Sequence, residues 1–341
     1  MKFSYKKENN SRKYPVNLSK KDKFLFSKEF QKEFKEIESI SYENVVIFAN
    51  GSCERDGLMY EMFYDFPKKL HWKSKLKLYL KTLIVKVKVR KIIELENALF
   101  ITDHFSNGFF HWFEDVYQKL EALNVQGWDI HRYTIVIPKV CNHSYVESSL
   151  KVYGYKYIVI EEDMRILAKN MLYIPQISPT GNYRPSLMSL MRDRFKIFYN
   201  VENQYKKVFI TRNKAPKRKI VNEDKLYPIL KQYNFEIVAM EDLSFAEQYK
   251  MVAEADVLVS LHGAGLTHML WMESNSKVLE IRAKDDDHNN CYFSLASDMN
   301  LKYYYVLAEK KDKETSTQLT DFIVDVDMFE KTIDLMMKES K

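Results

Sequence analysis

Between residues 207 and 306 apolar runs and helical patterns take turns along the chain, and this rhythm constrains the fold more than any other feature. Runs at 207–211, 235–240, 257–261, 278–281 and 303–306 read as buried strands. Patterns at 222–233, 245–255 and 290–299 read as helices, and another helix follows the glycine turn at 263–265. Strands separated by helices are joined by crossovers, which are right-handed and build a parallel sheet. The second half is therefore expected to be a Rossmann-like domain of nucleotide-binding type.

The first half is less regular. Apolar runs at 45–49, 99–102, 133–138 and 157–161 read as strands, with helical patterns at 109–123 and 145–152. Pro175, Pro179, Gly181 and Pro185 crowd a short segment and end this half, and the pattern at 186–201 reads as a linking helix. A length of 341 residues suits two domains. The expected division is 1–195 and 196–325, with a terminal helix in 326–341 that packs back on the first domain.

Composition, with 46% hydrophobic and 29% charged residues, is that of a folded chain. Cys53, Cys141 and Cys291 are widely spaced and form no CxxC pair, as expected of reduced thiols in a cytosolic protein. The first ten residues are polar, and nothing approaches the ~20 apolar residues of a membrane span. A cytoplasmic protein is expected, soluble or peripheral on the inner face of the cytoplasmic membrane.

Net charge is +6, and it is local: Lys68 to Lys91 holds ten basic residues and no acidic one. Lys73, Lys77 and Lys81 recur at helical spacing beside Trp72, Leu76, Leu80 and Leu83, whereas Val85, Val87 and Val89 alternate with basic residues as in a strand. A basic helix carrying an aromatic residue fits docking on an anionic membrane surface or an acceptor. A solvated basic face is the plain reading. No nucleic-acid-binding module accompanies the segment, so nucleic acid is not expected as a partner.

The densest motif is His262-Gly263-Ala264-Gly265-Leu266-Thr267-His268, directly behind the run at 257–261. Only 8 glycines occur in the chain, yet two of them lie here, one residue apart. A glycine pair between strand and helix brings backbone N–H groups close to a phosphate, although a plain strand-to-helix corner has the same composition. His262 occupies the strand end, where open α/β sheets carry their ligands. His268, inside the helix, reads as structural.

Arg212 ends another strand, and Arg218 lies in a loop with Lys214, Lys217 and Lys219. An arginine at such a place grips a diphosphate through parallel N–H bonds, or belongs to a basic surface loop. Glu280, inside the run at 278–281, either accepts hydrogen bonds from ribose hydroxyls or pairs with an arginine. His111 and Asp115 share a helix face and could supply a general base, or simply satisfy each other. Asp285-Asp286-Asp287-His288 reads as a metal-binding run or a solvated loop. With no GxGxxG opening the first crossover, a dehydrogenase is disfavoured.

Taken in order, these residues resemble glycosyltransferase family 61. The resemblance is carried by Ile210-Thr211-Arg212, Ala215, Arg218, Asn222-Glu223, Ser244-Phe245 with Glu247-Gln248, His262 to Leu266, and Val278-Leu279-Glu280-Ile281. Asn290, Tyr292, Leu295-Ala296 and Tyr303-Tyr304-Tyr305 extend it, and His111-Trp112-Phe113 with Asp115 and Leu120 resembles the family's first-domain motif. Asn300 stands where the family usually has glycine.

The resemblance implies an α/β fold of GT-B type, two Rossmann-like domains facing across a cleft. It implies inverting, metal-independent transfer from a nucleotide sugar, UDP-linked, to a glycan or lipid-linked glycan, with no cofactor. Donor contacts would fall to Arg212, Arg218, Asn222, Glu223, Ser244, Glu280 and the turn His262, Gly263, Ala264, Gly265, Leu266 and Thr267. The catalytic base would be Asp115 or His111. A chain opening without a leader resembles the bacterial members, whose acceptors are capsule or lipopolysaccharide glycans. Two alternatives stand beside this: a metal-dependent transferase using Asp285 and Asp287, and a non-catalytic assembly protein on the same scaffold.

Overall fold

The computed structural model describes residues 4–56, 58–61, 72–103, 105–202 and 204–339. The chain divides into two units, one made of 1–8 and 34–180, the other of 9–33 and 181–341. The division therefore falls at Thr180 and not near 195, and a segment close to the N-terminus belongs to the second unit. The helix Pro185–Tyr199, expected to link the halves, is part of the second unit as well.

The first unit is built on a seven-stranded sheet in the order Tyr157–Ile160, Thr134–Pro138, Lys91–Phe100, Met164–Tyr173, Ile40–Phe48, Ser52–Arg55 and Leu58–Glu61. The first four strands are parallel and the last three antiparallel, so this sheet is mixed and departs from the Rossmann-like expectation. Met164–Tyr173 lies at its centre, yet the sequence patterns do not show it. Arg165, Lys169 and Asn170 break the apolar run, because along part of its length only one face, with Ile166 and Ala168, meets the core. Glu94 and Glu96 hide most of Lys91–Phe100 in the same way. The valine alternation expected to continue as a strand past Leu83 instead falls largely inside a helix, Trp72–Lys88.

The second unit holds a six-stranded sheet in the order Glu236–Val238, Lys206–Ile210, Ala255–Leu261, Lys277–Ala283, Lys302–Lys310 and Phe322–Val324. Five strands are parallel, as the rhythm implied, and the edge strand Phe322–Val324 is antiparallel. Its core combines Phe209, Val259, Leu279, Ile281 and Tyr304 with Phe329, Ile333 and Met336. The last three come from the terminal helix Val326–Lys338, so that helix packs on the sheet of its own unit. Asp325 caps it through the Met328 N–H at 3.1 Å. Asn300 has φ 57°, a left-handed conformation that asparagine tolerates better than most residues, so it serves where a glycine is usual.

Residues 9–33 are held to the second unit by a buried ion pair together with hydrogen bonds and aromatic packing. Arg12 donates from Nε and Nη2 to the two carboxylate oxygens of Asp298, both at 2.9 Å, and from Nη1 to Glu29 and Asn182. Phe26 adds an aromatic cluster with Phe293, Tyr303 and Tyr305. Removing one partner of such a pair leaves an uncompensated buried charge. Arg12→Ala is therefore expected to lower the stability of this unit by about 3–5 kcal/mol in urea unfolding. A loss below about 1 kcal/mol, the range of an exposed pair, would show that the segment is not integral to the unit.

Candidate functional site

Strand order decides where a ligand can approach the second sheet. From Lys206–Ile210 the sheet grows outward to Glu236–Val238, and from its neighbour Ala255–Leu261 it grows the other way. Connections that leave two adjacent parallel strands in opposite directions open a crevice at their C-terminal ends. Ile210 pairs with Ser260, so two residues further on Arg212 and His262 stand at one level of that crevice.

The two chain ends are fitted to each other. A Cβ built on Gly263 would lie 2.7 Å from Nη1 of Arg212. Gly263 has φ 162°, extended backbone open to any residue, so the need for glycine here is the arginine packed on its Cα. Gly265 is similar, since a Cβ added there would lie 3.2 Å from Cγ2 of Ile210. The guanidinium of Arg212 is fixed from the other side by its own loop, donating to the carbonyls of Arg218 at 3.0 Å and Lys217 at 3.4 Å. Burial, then the neighbouring charge of Arg218, lowers the Arg212 pKa from its ordinary value. Arg218 itself adopts φ 59° and has a buried Nε without a protein acceptor among the described residues. Two neighbouring guanidiniums and an unmatched buried N–H together suit an anion.

His262 is oriented from inside the sheet. Its Nδ1 lies 2.5 Å from Oε1 of Glu280, and Oε2 of Glu280 accepts from the Tyr303 hydroxyl at 2.5 Å. Burial would raise the Glu280 carboxyl, but the His262 charge and hydrogen bond, with Arg282 behind them, outweigh it and hold the carboxyl below its ordinary value. With Nδ1 committed, Nε2 is the nitrogen left to meet a ligand. The imidazole side chain is 18% exposed and lies edge-on to Tyr292 at 5.0 Å. Arg218, His262 and Arg282 line one small pocket. Arg282 is itself anchored to Asn290 at 2.9 Å and to the Asp286 carbonyl at 2.6 Å.

This geometry corrects several expectations. Glu280 has no carboxylate oxygen left for a ribose, because both are engaged and the residue is wholly buried. Asn222 bonds the backbone of Val324 through both ends of its amide and so ties down the edge strand. Glu223 is buried and accepts from Thr211 and Tyr227. Ser244 caps the helix Phe245–Ala253 in a capping box with Glu247. Leu266 and Thr267 are buried in the core and Gly263 is covered by Arg212, which leaves Ala264 and Gly265 as the accessible part of the turn. The helix after the turn, Ala264–Trp271, is 3₁₀ and not α.

Asp286 and Asp287 are likewise spoken for. Asp286 accepts from the N–H groups of His288 and Asn289, both at 3.0 Å, and Asp287 pairs with Lys28 at 2.9 Å. Among the described residues no group of three or more His, Cys, Asp or Glu side chains is placed to hold a metal ion.

In the first unit His111 and Asp115 do meet, with Nδ1 of His111 2.7 Å from Oδ2 of Asp115. The helix widens to a π-turn over Trp112–Val116, a distortion often found at functional sites. Asp115 is buried, with Thr180 Oγ1 donating to Oδ2 at 3.3 Å and with Oδ1 lacking a protein donor among the described residues. The His111 side chain is 25% exposed and stacks on Phe105. Asp115 therefore orients the imidazole, and His111 is the member of the pair that can reach a substrate.

The basic helix Trp72–Lys88 carries Trp72 and Lys73 exposed, while the side chains of Lys77 and Lys81 lie outside the described residues. Sequence reasoning assigned no role to Arg282 or Tyr303. A signal for Arg282 was present, since it is two residues from Glu280 on one strand and so on the same face. Tyr303 gave no such signal, because its partner lies on another strand.

Comparison with known proteins agrees in part with the sequence reading. Residues 109–279, half of the chain, match the family described as Glycosyltransferase 61. An EGF domain-specific O-linked N-acetylglucosamine transferase of Drosophila melanogaster is 28% identical over 39% of this chain and 26% of that protein. The Pan troglodytes protein of the same name is 28% identical over 58% of this chain and 38% of its own. A beta-1,2-xylosyltransferase of Oryza sativa subsp. japonica is 24% identical over 55% and 35%. The matched regions thus span between about a quarter and two fifths of these relatives. All three are animal or plant proteins and lend no support to a bacterial surface-polysaccharide role.

Two outcomes follow from the site's packing. Gly263→Ala is expected to displace the Arg212 guanidinium and weaken binding of a nucleoside diphosphate without unfolding the chain, as read by calorimetry. His268, fully buried beside the turn, has its pKa lowered by burial from 6.5 to about 3. The unfolded chain takes up a proton there below pH 6.5 and the folded chain does not, so stability falls as pH drops from 6.5 towards 3. His268→Gln should make that acid-side slope in urea unfolding shallower, by a few kcal/mol in all on the order-of-magnitude linkage estimate.

Proposed function

Since this chain belongs to the Glycosyltransferase 61 family and is a glycosyltransferase, we propose that it transfers a sugar from a UDP-linked donor with inversion and without a metal ion. The reading rests above all on the crevice of the second unit, where Arg212 fills the space left by Gly263 beside His262. As the bond from the sugar to the diphosphate breaks, negative charge grows on the departing diphosphate. We assign its stabilisation to Arg212, Arg218 and His262, whose ring Glu280 holds. The N–H groups at the head of Ala264–Trp271 add a partial positive charge.

The other half of the chemistry is a base for the acceptor hydroxyl. We assign it to His111, with Asp115 fixing the ring through Nδ1 so that Nε2 takes the proton. With the family comes the GT-B reading, in which the first unit takes the acceptor and the second the donor. The acceptor class is a glycan hydroxyl. A capsule or lipopolysaccharide acceptor is the finer proposal, carried by the sequence resemblance alone. The names of the relatives put UDP-N-acetylglucosamine and UDP-xylose first in a donor screen.

The two roles are tested separately. Arg212→Ala should weaken UDP binding by roughly 10- to 100-fold, the worth of a charged hydrogen bond of about 1.5–3 kcal/mol. His111→Ala should spare UDP binding and slow transfer by roughly 10²- to 10⁴-fold, with Asp115→Asn in the same direction. Turnover should persist in EDTA. Undiminished UDP affinity in the Arg212 variant would overturn the donor assignment, and full turnover without His111 would overturn the base.

A further inference from the structure

The helix Trp72–Lys88 takes no part in the chemistry above, and its surface is unusual. Trp72, Leu76, Tyr79, Leu80, Leu83, Ile84 and Val87 are between 39% and 87% exposed. Their spacing of three and four residues puts all but Ile84, which lies at its border, on one narrow stripe along the helix. Six lysines share the same helix, at 73, 75, 77, 81, 86 and 88, with no acidic residue among its 17 positions. By helical position Lys73 and Lys77 follow one border of the stripe, and Lys75 and Lys86 the other. The C-terminal end is fixed to its own unit, since Lys86 pairs with Glu54 at 2.6 Å and lies 5.8 Å from the Phe48 ring.

We propose that this helix docks the protein on an anionic lipid surface, lying in the plane of the interface with its apolar stripe sunk among the acyl chains and the bordering Lys73, Lys75 and Lys77 on the lipid phosphates. Apolar area and positive charge on one helix are the two terms that bind such helices to membranes. Charge also decides against a second copy as the occupant, because two such helices stripe to stripe would bring the bordering Lys73, Lys75 and Lys77 of both copies together with no acidic residue on either helix. No helix among the described residues is long and apolar enough to cross a membrane, so the proposal is for docking in the plane and not for a span.

The test uses the full chain and flotation with phosphatidylcholine vesicles, with and without phosphatidylglycerol, and needs no donor or acceptor, so it stands or falls apart from the proposed reaction. The protein should float with the phosphatidylglycerol vesicles, and rising ionic strength should weaken that association. Tryptophan emission should shift to the blue on binding and the shift should be lost in Trp72→Phe, since Trp112 and Trp271 are already buried and Trp128 is half-buried. Leu76→Glu with Leu80→Glu, and separately Lys73→Glu with Lys77→Glu, should each cut binding at least about tenfold while leaving UDP binding intact. Equal binding to neutral and anionic vesicles, or undiminished flotation of the Leu76 and Leu80 double variant, would overturn the proposal. So would a dimer, seen in sedimentation equilibrium without vesicles, that these same substitutions dissolve.

Discussion

The second unit is organised around a carboxylate in the middle of its sheet. Glu280 sits where water does not reach, and an ionised group there is tolerated only if its partners are fixed. Tyr303 from the next strand and His262 from the strand before supply them, and Arg282 adds positive potential from behind. One buried charge thus sets the tautomer and direction of a histidine at the sheet's C-terminal edge. The glycine beside that histidine is in turn explained by the arginine that packs against it. Remove Glu280, and the ring of His262 loses what aims it.

The first unit uses the same device in a smaller space. Asp115 is buried in the wide turn of a helix and His111 faces outward, so the pair has an inner member that orients and an outer member that can react. In both units a buried carboxylate holds the Nδ1 side of a partly exposed imidazole and leaves Nε2 to the outside. Such pairs hold the ring's tautomer and orientation at a hydrogen-bonding or proton-transfer position.

Much of the second sheet is legible in the sequence because its strands are buried on both faces and so read as short unbroken apolar runs. Lys206–Ile210, Ala255–Leu261, Lys277–Ala283 and Lys302–Lys310 all fall within a few residues of the expected spans. The first sheet is legible where a strand is an apolar run unbroken by charge, as at Thr134–Pro138 and the edge strand Tyr157–Ile160. Met164–Tyr173 and most of Lys91–Phe100 escape such a reading because one face of each carries charge, and the hairpin strands Ser52–Arg55 and Leu58–Glu61 are too short to show a period. Among the site residues, Arg212, His262 and Gly263 stand out by their place at strand ends. Asn222, Glu223 and Ser244 read as ligand contacts because a polar residue in a motif looks the same whether it meets a substrate or ties down its own backbone.

The sequence by itself determined the parallel sheet of the second unit, the strand-end position of the arginine and histidine, and the family to which the chain belongs. These follow from local periodicity and from motif order, both of which are properties of neighbouring residues. Only the tertiary structure decided that Glu280 aims a histidine, that Asp115 lies inside and His111 outside, and that residues 9–33 belong to the second unit. Each of those depends on partners brought together across strands or from distant parts of the chain, and burial, which sets their chemistry, exists only once the chain has folded.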